Sequence, residues 1–181
     1  MMKKFIRYSR YLLTLLWMSA MVSTHAASTE EVRPIFGYVE NVTLLPEDLT
    51  LAARIDSGAT TASLYAVNIE QFEQEDETWV SFEVPAANGT LTAFTRKLVR
   101  VSRIKGRIEE GALGQIAPLN ERPVIKIQIC IGNQIHEIEM NLTNRQNLLY
   151  PVLIGRKALI KFAALIDPNV EFKQKLSCNE A

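Results

Sequence analysis

A chain of 181 residues allows one ordinary domain, or one domain plus a processed segment. Its 20 Lys and Arg balance 20 Asp and Glu, which argues against a nucleic-acid binder, because displacing counterions from phosphate needs excess positive charge. With 48% hydrophobic and 22% charged residues the composition is globular rather than disordered. The two cysteines exclude a disulfide-rich scaffold and a four-thiolate metal site.

The first 26 residues have the form of an export signal. Lys3, Lys4, Arg7 and Arg10 make a basic start without an acidic residue, and an apolar run follows from Tyr11 to Val22. Small residues at Thr24 and Ala26 predict cleavage after Ala26. The alternative is an uncut anchor, but the run is short against the roughly 20 residues that span a bilayer. No stable membrane span is therefore expected after cleavage, and the expected location is exported, either periplasmic or secreted. Losing residues 1–26 removes four of the 20 basic residues and none of the 20 acidic ones. The remaining domain is then mildly acidic, with 16 basic against 20 acidic residues, and His136 as its one histidine.

Residues 27–34 are expected to form a flexible N-terminal arm, 35–173 one domain, and 174–181 a C-terminal tail. Strand patterns fall at Ile35–Val39, Leu49–Ile55, Ala62–Tyr65, Trp79–Val84 and Leu91–Val101. The clearest pair is Val124–Ile131 with Ile135–Leu142. Ile125, Ile127, Ile129 and Ile131 share one face of the first, with Lys126, Gln128 and Cys130 opposite. Gly132-Asn133-Gln134 joins the two as a hairpin, since glycine and asparagine tolerate positive φ. Asn88-Gly89 is a second turn signal. Val152–Gly155 reads as a short strand, Arg156–Phe162 as one or two helical turns, and Ala164–Ile166 as a last buried strand. Many short strands with little helix indicate a compact, mainly β barrel.

The chemistry concentrates after Ile55. Asp56-Ser57-Gly58-Ala59-Thr60 places a carboxylate at the end of an apolar strand, followed by a hydroxyl, a glycine and small residues. The strand can fix the height of Asp56 while Gly58 turns the chain, so that backbone N–H groups aim at the carboxylate. Taken alone, the tripeptide also fits an ordinary turn.

Asp56-Ser57-Gly58-Ala59 resembles the active-site signature of retropepsin-like aspartic proteases, and Leu153-Ile154-Gly155-Arg156 resembles their late apolar-Gly-Arg motif. Further landmarks are Gly37-Tyr38-Val39-Glu40, Trp79-Val80-Ser81-Phe82 and Leu165-Ile166-Asp167-Pro168. With these, the stretch from Gly37 to Phe172 is similar to the bacterial, RimK-associated family labelled "ATP-dependent zinc protease", whose domain is retropepsin-like. Some members are encoded near ligases that add glutamate to proteins. The chain departs from the family near Asn120–Pro123, where relatives are more basic.

The resemblance implies a retropepsin-like closed β-barrel with a flap hairpin and one short C-terminal helix. It makes Asp56 catalytic, with Ser57, Gly58, Ala59 and Thr60 supporting its loop. Ile154, Gly155 and Arg156 become the strand packed beside the loop, with Arg156 a structural support, and Asn88 and Gly89 the tip of the flap. The aspartic mechanism needs two carboxylates about 3 Å apart, one protonated and one ionised. The chain has one Asp-Ser-Gly, and Asp167 before Pro168 lacks the glycine turn and reads as structural. The dyad would then come from Asp56 of two subunits, which implies a homodimer.

The zinc and ATP of the family label find no residues here. There is no His-Glu-x-x-His segment, His136 stands alone on a strand, and no glycine-rich Lys-Ser/Thr loop is present. No cofactor, metal or ATP is expected. Glu70–Glu77 reads as a solvated connection. The run Lys97, Arg100, Arg103, Lys105 and Arg107 fits either a charged strand edge or a grip on an acidic substrate such as a glutamate-rich tail. Pairing of Cys130 with Cys178 stays open. The expected function is an exported aspartic peptidase acting on peptide or isopeptide bonds of a peptide or protein substrate. The alternative is a non-catalytic periplasmic peptide-binding module on the same fold.

Overall fold

In the computed structural model, residues 32–105 and 119–178 are described. The export signal, most of the N-terminal arm, Arg107 and the last three residues lie outside that range. Ten strands run in chain order: β1 (Ile35–Leu45), β2 (Leu49–Asp56), β3 (Ala62–Tyr65), β4 (Val67–Gln74), β5 (Glu77–Pro85), β6 (Leu91–Lys105), β7 (Leu119–Ile131), β8 (Gln134–Thr143), β9 (Val152–Gly155) and β10 (Leu165–Glu171). The one helix among the described residues, α1 (Arg156–Lys161), follows β9 directly.

Six strands close into a barrel in the order β1-β2-β9-β3-β8-β7. The ring is completed by Thr43↔Cys130 and Leu44↔Ile129 between β1 and β7. Closure leaves these six strands without a free edge along the ring, while β10 and β4 form the two ends of the whole sheet. The alternation read in β7 sets its orientation: Ile125, Ile127, Ile129 and Ile131 are buried in the core, whereas Lys126 and Gln128 are exposed. Each such aliphatic side chain stabilises the fold by about 1.5–3 kcal/mol on burial.

β6, β5 and β4 extend the sheet outward from β7. Val80, Phe82, Val84 and Phe94 are buried, and the rings of Phe82 and Phe94 stack at 5.3 Å. The acidic stretch Glu70–Glu77, expected to be a solvated connection, instead forms most of β4, a two-residue turn and the start of β5. Glu75 and Asp76 make the turn with φ of 53° and 60°, and Phe72 pairs with Trp79. Residues 70–74 of β4 are all exposed, so its strand character comes from backbone pairing and leaves no apolar alternation to read.

α1 presents Ala158 and Leu159 to the core and leaves Ile160 exposed. Phe162, next in the chain, packs edge-on against Phe36 at 5.6 Å and against His136 at 4.5 Å. β10 then pairs in parallel with β1. It is longer than the expected Ala164–Ile166 and is not buried: Leu165 is 45% exposed, because the strand lies at the end of the sheet. Gly37 permits the approach, since a Cβ there would stand 2.4 Å from the Val170 carbonyl oxygen. Cys130 and Cys178 form a disulfide with Cα atoms 6.0 Å apart. Cys130 sits on the outer face of β7 with Lys126 and Gln128, yet it is fully buried.

Candidate active site

Asp56 ends β2 and pairs with Gly155 of β9, one step beyond Ile55↔Ile154. Its Oδ1 accepts the N–H of Gly58 at 2.9 Å and of Ala59 at 3.1 Å. The turn thus fixes the carboxylate with its own backbone, and a Cβ on Gly58 would stand 3.2 Å from that oxygen. Oδ2 accepts no hydrogen bond among the described residues. Ser57, Gly58 and Thr60 are exposed, while Asp56 and Ala59 are half-buried.

The loop is held from behind by the start of α1. The first N–H groups of a helix lack intrahelical partners. Here Arg156 N–H donates to Ala59 O at 2.8 Å and Lys157 N–H to Thr60 O at 3.1 Å. The Arg156 guanidinium adds bonds to Ser57 O at 3.3 Å and Thr60 Oγ1 at 3.4 Å. Gly155 makes this contact possible: a Cβ there would lie 2.6 Å from the Thr61 carbonyl carbon and oxygen and 3.0 Å from Ala59 O. Asp56, Ser57–Thr60 and Ile154–Arg156 therefore meet in one constellation.

Among the described residues no hydrogen bond links Asn88 or Gly89 to this constellation. Gly89 takes the left-handed φ of 83°, and Asn88 Oδ1 accepts the Thr90 N–H, so the turn forms as expected. Its neighbours Ala86 and Ala87, however, line a cavity of about 420 Å³ with Thr50, Leu51, Ala52, Tyr65, Arg145 and Pro151. The strands that continue outward together are β6 and β7, paired as far as Lys105↔Leu119. Their connection lies outside the described residues.

Asn141, Arg122 and Arg145 were not among the site residues expected from the sequence. Asn141 of β8 is 3% exposed. Its Nδ2 donates to Ala62 O at 2.7 Å, and its Oδ1 accepts Arg122 Nη1 at 3.3 Å. Arg145 is 8% exposed and donates Nε–H to Tyr150 O. Burial holds both guanidinium groups below their ordinary pKa, and the Arg122 cation lowers Arg145 further. Neither has a carboxylate within salt-bridge distance among the described residues, and Arg122 Nε and Ser63 Oγ are buried without partners. Alternation put Asn141 with Glu137 and Glu139, so nothing in the sequence marked it as buried.

Asp167 is turned away from such chemistry. Its Oδ1 accepts the N–H and Nδ2 of Asn169, and Lys173 stands 3.6 Å from Oδ2. The Asn169 backbone N–H chiefly holds its carboxyl below the usual range. Among the described residues the donor set does not fit zinc, because His136 packs on Phe162 and both cysteines are spent in the disulfide. Of the basic run, Lys97, Arg100 and Arg103 pair with Glu77, Glu139 and Glu121.

Comparison with known proteins identifies the fold and the family. A crystal structure of a Legionella pneumophila protein of unknown function is 38% identical, with a TM-score of 0.66, and matches 80% of this chain and all of that one. Proteins described as probable alpha-L-glutamate ligases from Shewanella halifaxensis and Shewanella pealeana are each 37% identical over 123 residues, 67% of this chain. The chain spans only about a quarter of the length of these curated relatives. The family model for RimB, described as a retropepsin-like aspartic endopeptidase, matches residues 35–176. The barrel is retropepsin-like, and the chain belongs to the RimB-like family of retropepsin-like aspartic endopeptidases.

Proposed function

We propose that the protein is an exported aspartic peptidase whose active form is a homodimer with Asp56 contributed by each subunit. The observation that carries this reading is the carboxylate of Asp56. Two loop amides fix Oδ1 while Oδ2 has no partner among the described residues, on a loop whose outer residues Ser57, Gly58 and Thr60 are exposed. A two-fold axis beside this loop would bring the two carboxylates together. One proton shared between them lets one group polarise the scissile carbonyl while the other takes a proton from the attacking water. The pair would titrate as a unit. Arg156 and the first N–H groups of α1 keep the loop from relaxing as charge moves across it.

Two observations bear on substrate and location. Arg122 and Arg145 are two half-buried to buried cations without a carboxylate partner among the described residues, and buried charge favours an opposite charge beside it. Together with the glutamate named in the description of the ligase relatives, this supports a peptide substrate bearing acidic side chains. The Cys130–Cys178 disulfide suits an oxidising compartment, as does the basic and apolar start of the sequence.

The test is cleavage of a diverse peptide library by the chain from residue 27 onward, beside Asp56→Asn, from acid to neutral pH. Cleavage by the parent and none by the variant is expected, with a preference for acidic residues near the cut. Cleavage that survives in Asp56→Asn overturns the mechanism. Peptide binding without cleavage by either form would make the chain a binding module instead.

A further inference from the structure

The chain does not trail away after β10. Phe172 N–H donates to Val39 O at 2.8 Å, Ser177 N–H to Gly132 O at 2.8 Å, and Gln174 Nε2 to Ile35 O at 2.7 Å. With the bond from Cys178 to Cys130, these contacts lay residues 172–178 as a strap across β1 and the β7–β8 turn. Beneath the strap is Glu40, a carboxylate with no exposed surface. Its Oε1 accepts Gly37 N–H at 2.6 Å and Lys173 N–H at 3.2 Å, and its Oε2 accepts Gln174 N–H at 3.1 Å. Two of these three donors belong to the strap. A buried carboxylate without a cation is tolerable only while such donors satisfy it, so closing the strap and burying Glu40 are one event.

The strap's one other polar tie among the described residues is the ion pair of Lys173 with Asp167 at 3.6 Å. Phe172 is 47% exposed, and Lys173 and Lys175 are exposed. A segment with little apolar burial opens separately from the core unless something else ties it down. The disulfide is that tie. Cys178 is partly exposed whereas Cys130 is fully buried, so a thiolate from solvent meets Cys178 first.

We propose that residues 172–178 form a reducible latch, closed over Glu40 by the Cys130–Cys178 disulfide and opened by a dithiol reductant. One thiolate of the reductant attacks Cys178 Sγ and forms a mixed disulfide. The bond to Cys130 breaks, and Cys130 leaves and takes up a proton. The second reductant thiol then displaces Cys178, so two electrons and two protons pass to the protein and the reductant becomes a disulfide. Opening takes two donors from Glu40 and loosens the edge of β1. Val39, whose carbonyl takes the Phe172 N–H, pairs with Arg54, two residues before Asp56. The latch thus restrains the strand next to the candidate site, and it stands whether or not Asp56 is catalytic.

Hydrogen exchange on the full chain, oxidised and after treatment with dithiothreitol, tests this. In the oxidised protein the Phe172, Lys173, Gln174 and Ser177 amides should be protected. After reduction they should exchange about 100-fold faster while amides of β7 and β8 remain protected, the signature of local opening. Strap amides that stay as slow as those of β7 and β8 after reduction overturn the proposal. Cys178→Ser, a change at a partly exposed position, should reproduce the reduced pattern without reductant, and unchanged strap protection in it has the same adverse meaning. Glu40→Gln with the disulfide intact should speed the Lys173 and Gln174 amides by about tenfold, because the neutral amide accepts more weakly and through one oxygen. Unchanged rates there would remove Glu40 from the latch.

Discussion

Gly155→Ala should be the most damaging small change at the site, and its cost follows from geometry. The new Cβ would lie 2.6 Å from both the carbonyl carbon and oxygen of Thr61 and 3.0 Å from Ala59 O, where ordinary contact begins at 3.4 Å. All three atoms are backbone, so no side-chain rotation relieves the clash, and the loop or β9 must retreat by about 0.8 Å. β9 is paired on both sides, with β2 and β3, which leaves the loop to move. That retreat stretches the bonds from Arg156 N–H to Ala59 O and from Lys157 N–H to Thr60 O. Overpacking of this kind costs about 1–3 kcal/mol, and two weakened helix-start bonds place the expectation near the upper end. Urea unfolding of Gly155→Ala beside Gly89→Ala measures it. At Gly89 a Cβ meets nothing within 4 Å and only the left-handed φ is penalised, at about 1 kcal/mol. The reasoning fails if Gly155→Ala unfolds within about 0.5 kcal/mol of the parent or no earlier than Gly89→Ala.

The hydrogen bond from Arg100 holds the Glu139 carboxyl below its ordinary pKa of 4.5, against the upward pull of burial. A depressed folded pKa means that the pair's contribution is complete above the ordinary value and fades as pH falls below it through the folded one. Arg100→Met should therefore cost at most about 1 kcal/mol at neutral pH, since both side chains are partly solvated, and less at pH ~3 than at neutral pH. Urea midpoints at the two pH values check this, and an equal loss at both would refute it. Asn141→Ala should cost about 1–3 kcal/mol, because it strips the buried Ala62 carbonyl and Arg122 of a partner, and thermal unfolding reads the loss. Phe162→Ala should cost about 3–5 kcal/mol by removing the ring between Phe36 and His136, measured in the same way.

Much of the molecule was legible because it depends on local chemistry. Alternation gave β7 and β8 and Gly132-Asn133 gave their turn, whereas the resemblance of Asp56-Ser57-Gly58-Ala59 to a family signature gave the candidate site. Gly155 and Arg156, about a hundred residues later, were tied to that loop through resemblance, and the structure supplies the reason: a backbone approach that no Cβ allows. β4 was missed because a strand exposed along most of its length has no burial pattern, only backbone partners chosen elsewhere in the chain. Asn88-Gly89 announced a turn correctly, but a turn signal carries no information about what the turn lies against.

The amino-acid sequence by itself determined the strand-rich class, the turn after Asp56 and the turns at Gly89 and Gly132. These are properties of residue type, φ and short-range alternation. Only the tertiary structure decided that Cys130 meets Cys178 and that Glu40, Asn141 and Arg145 are buried. Closing a six-stranded barrel brings together residues far apart in the chain, and such long-range partnerships leave no trace in local pattern.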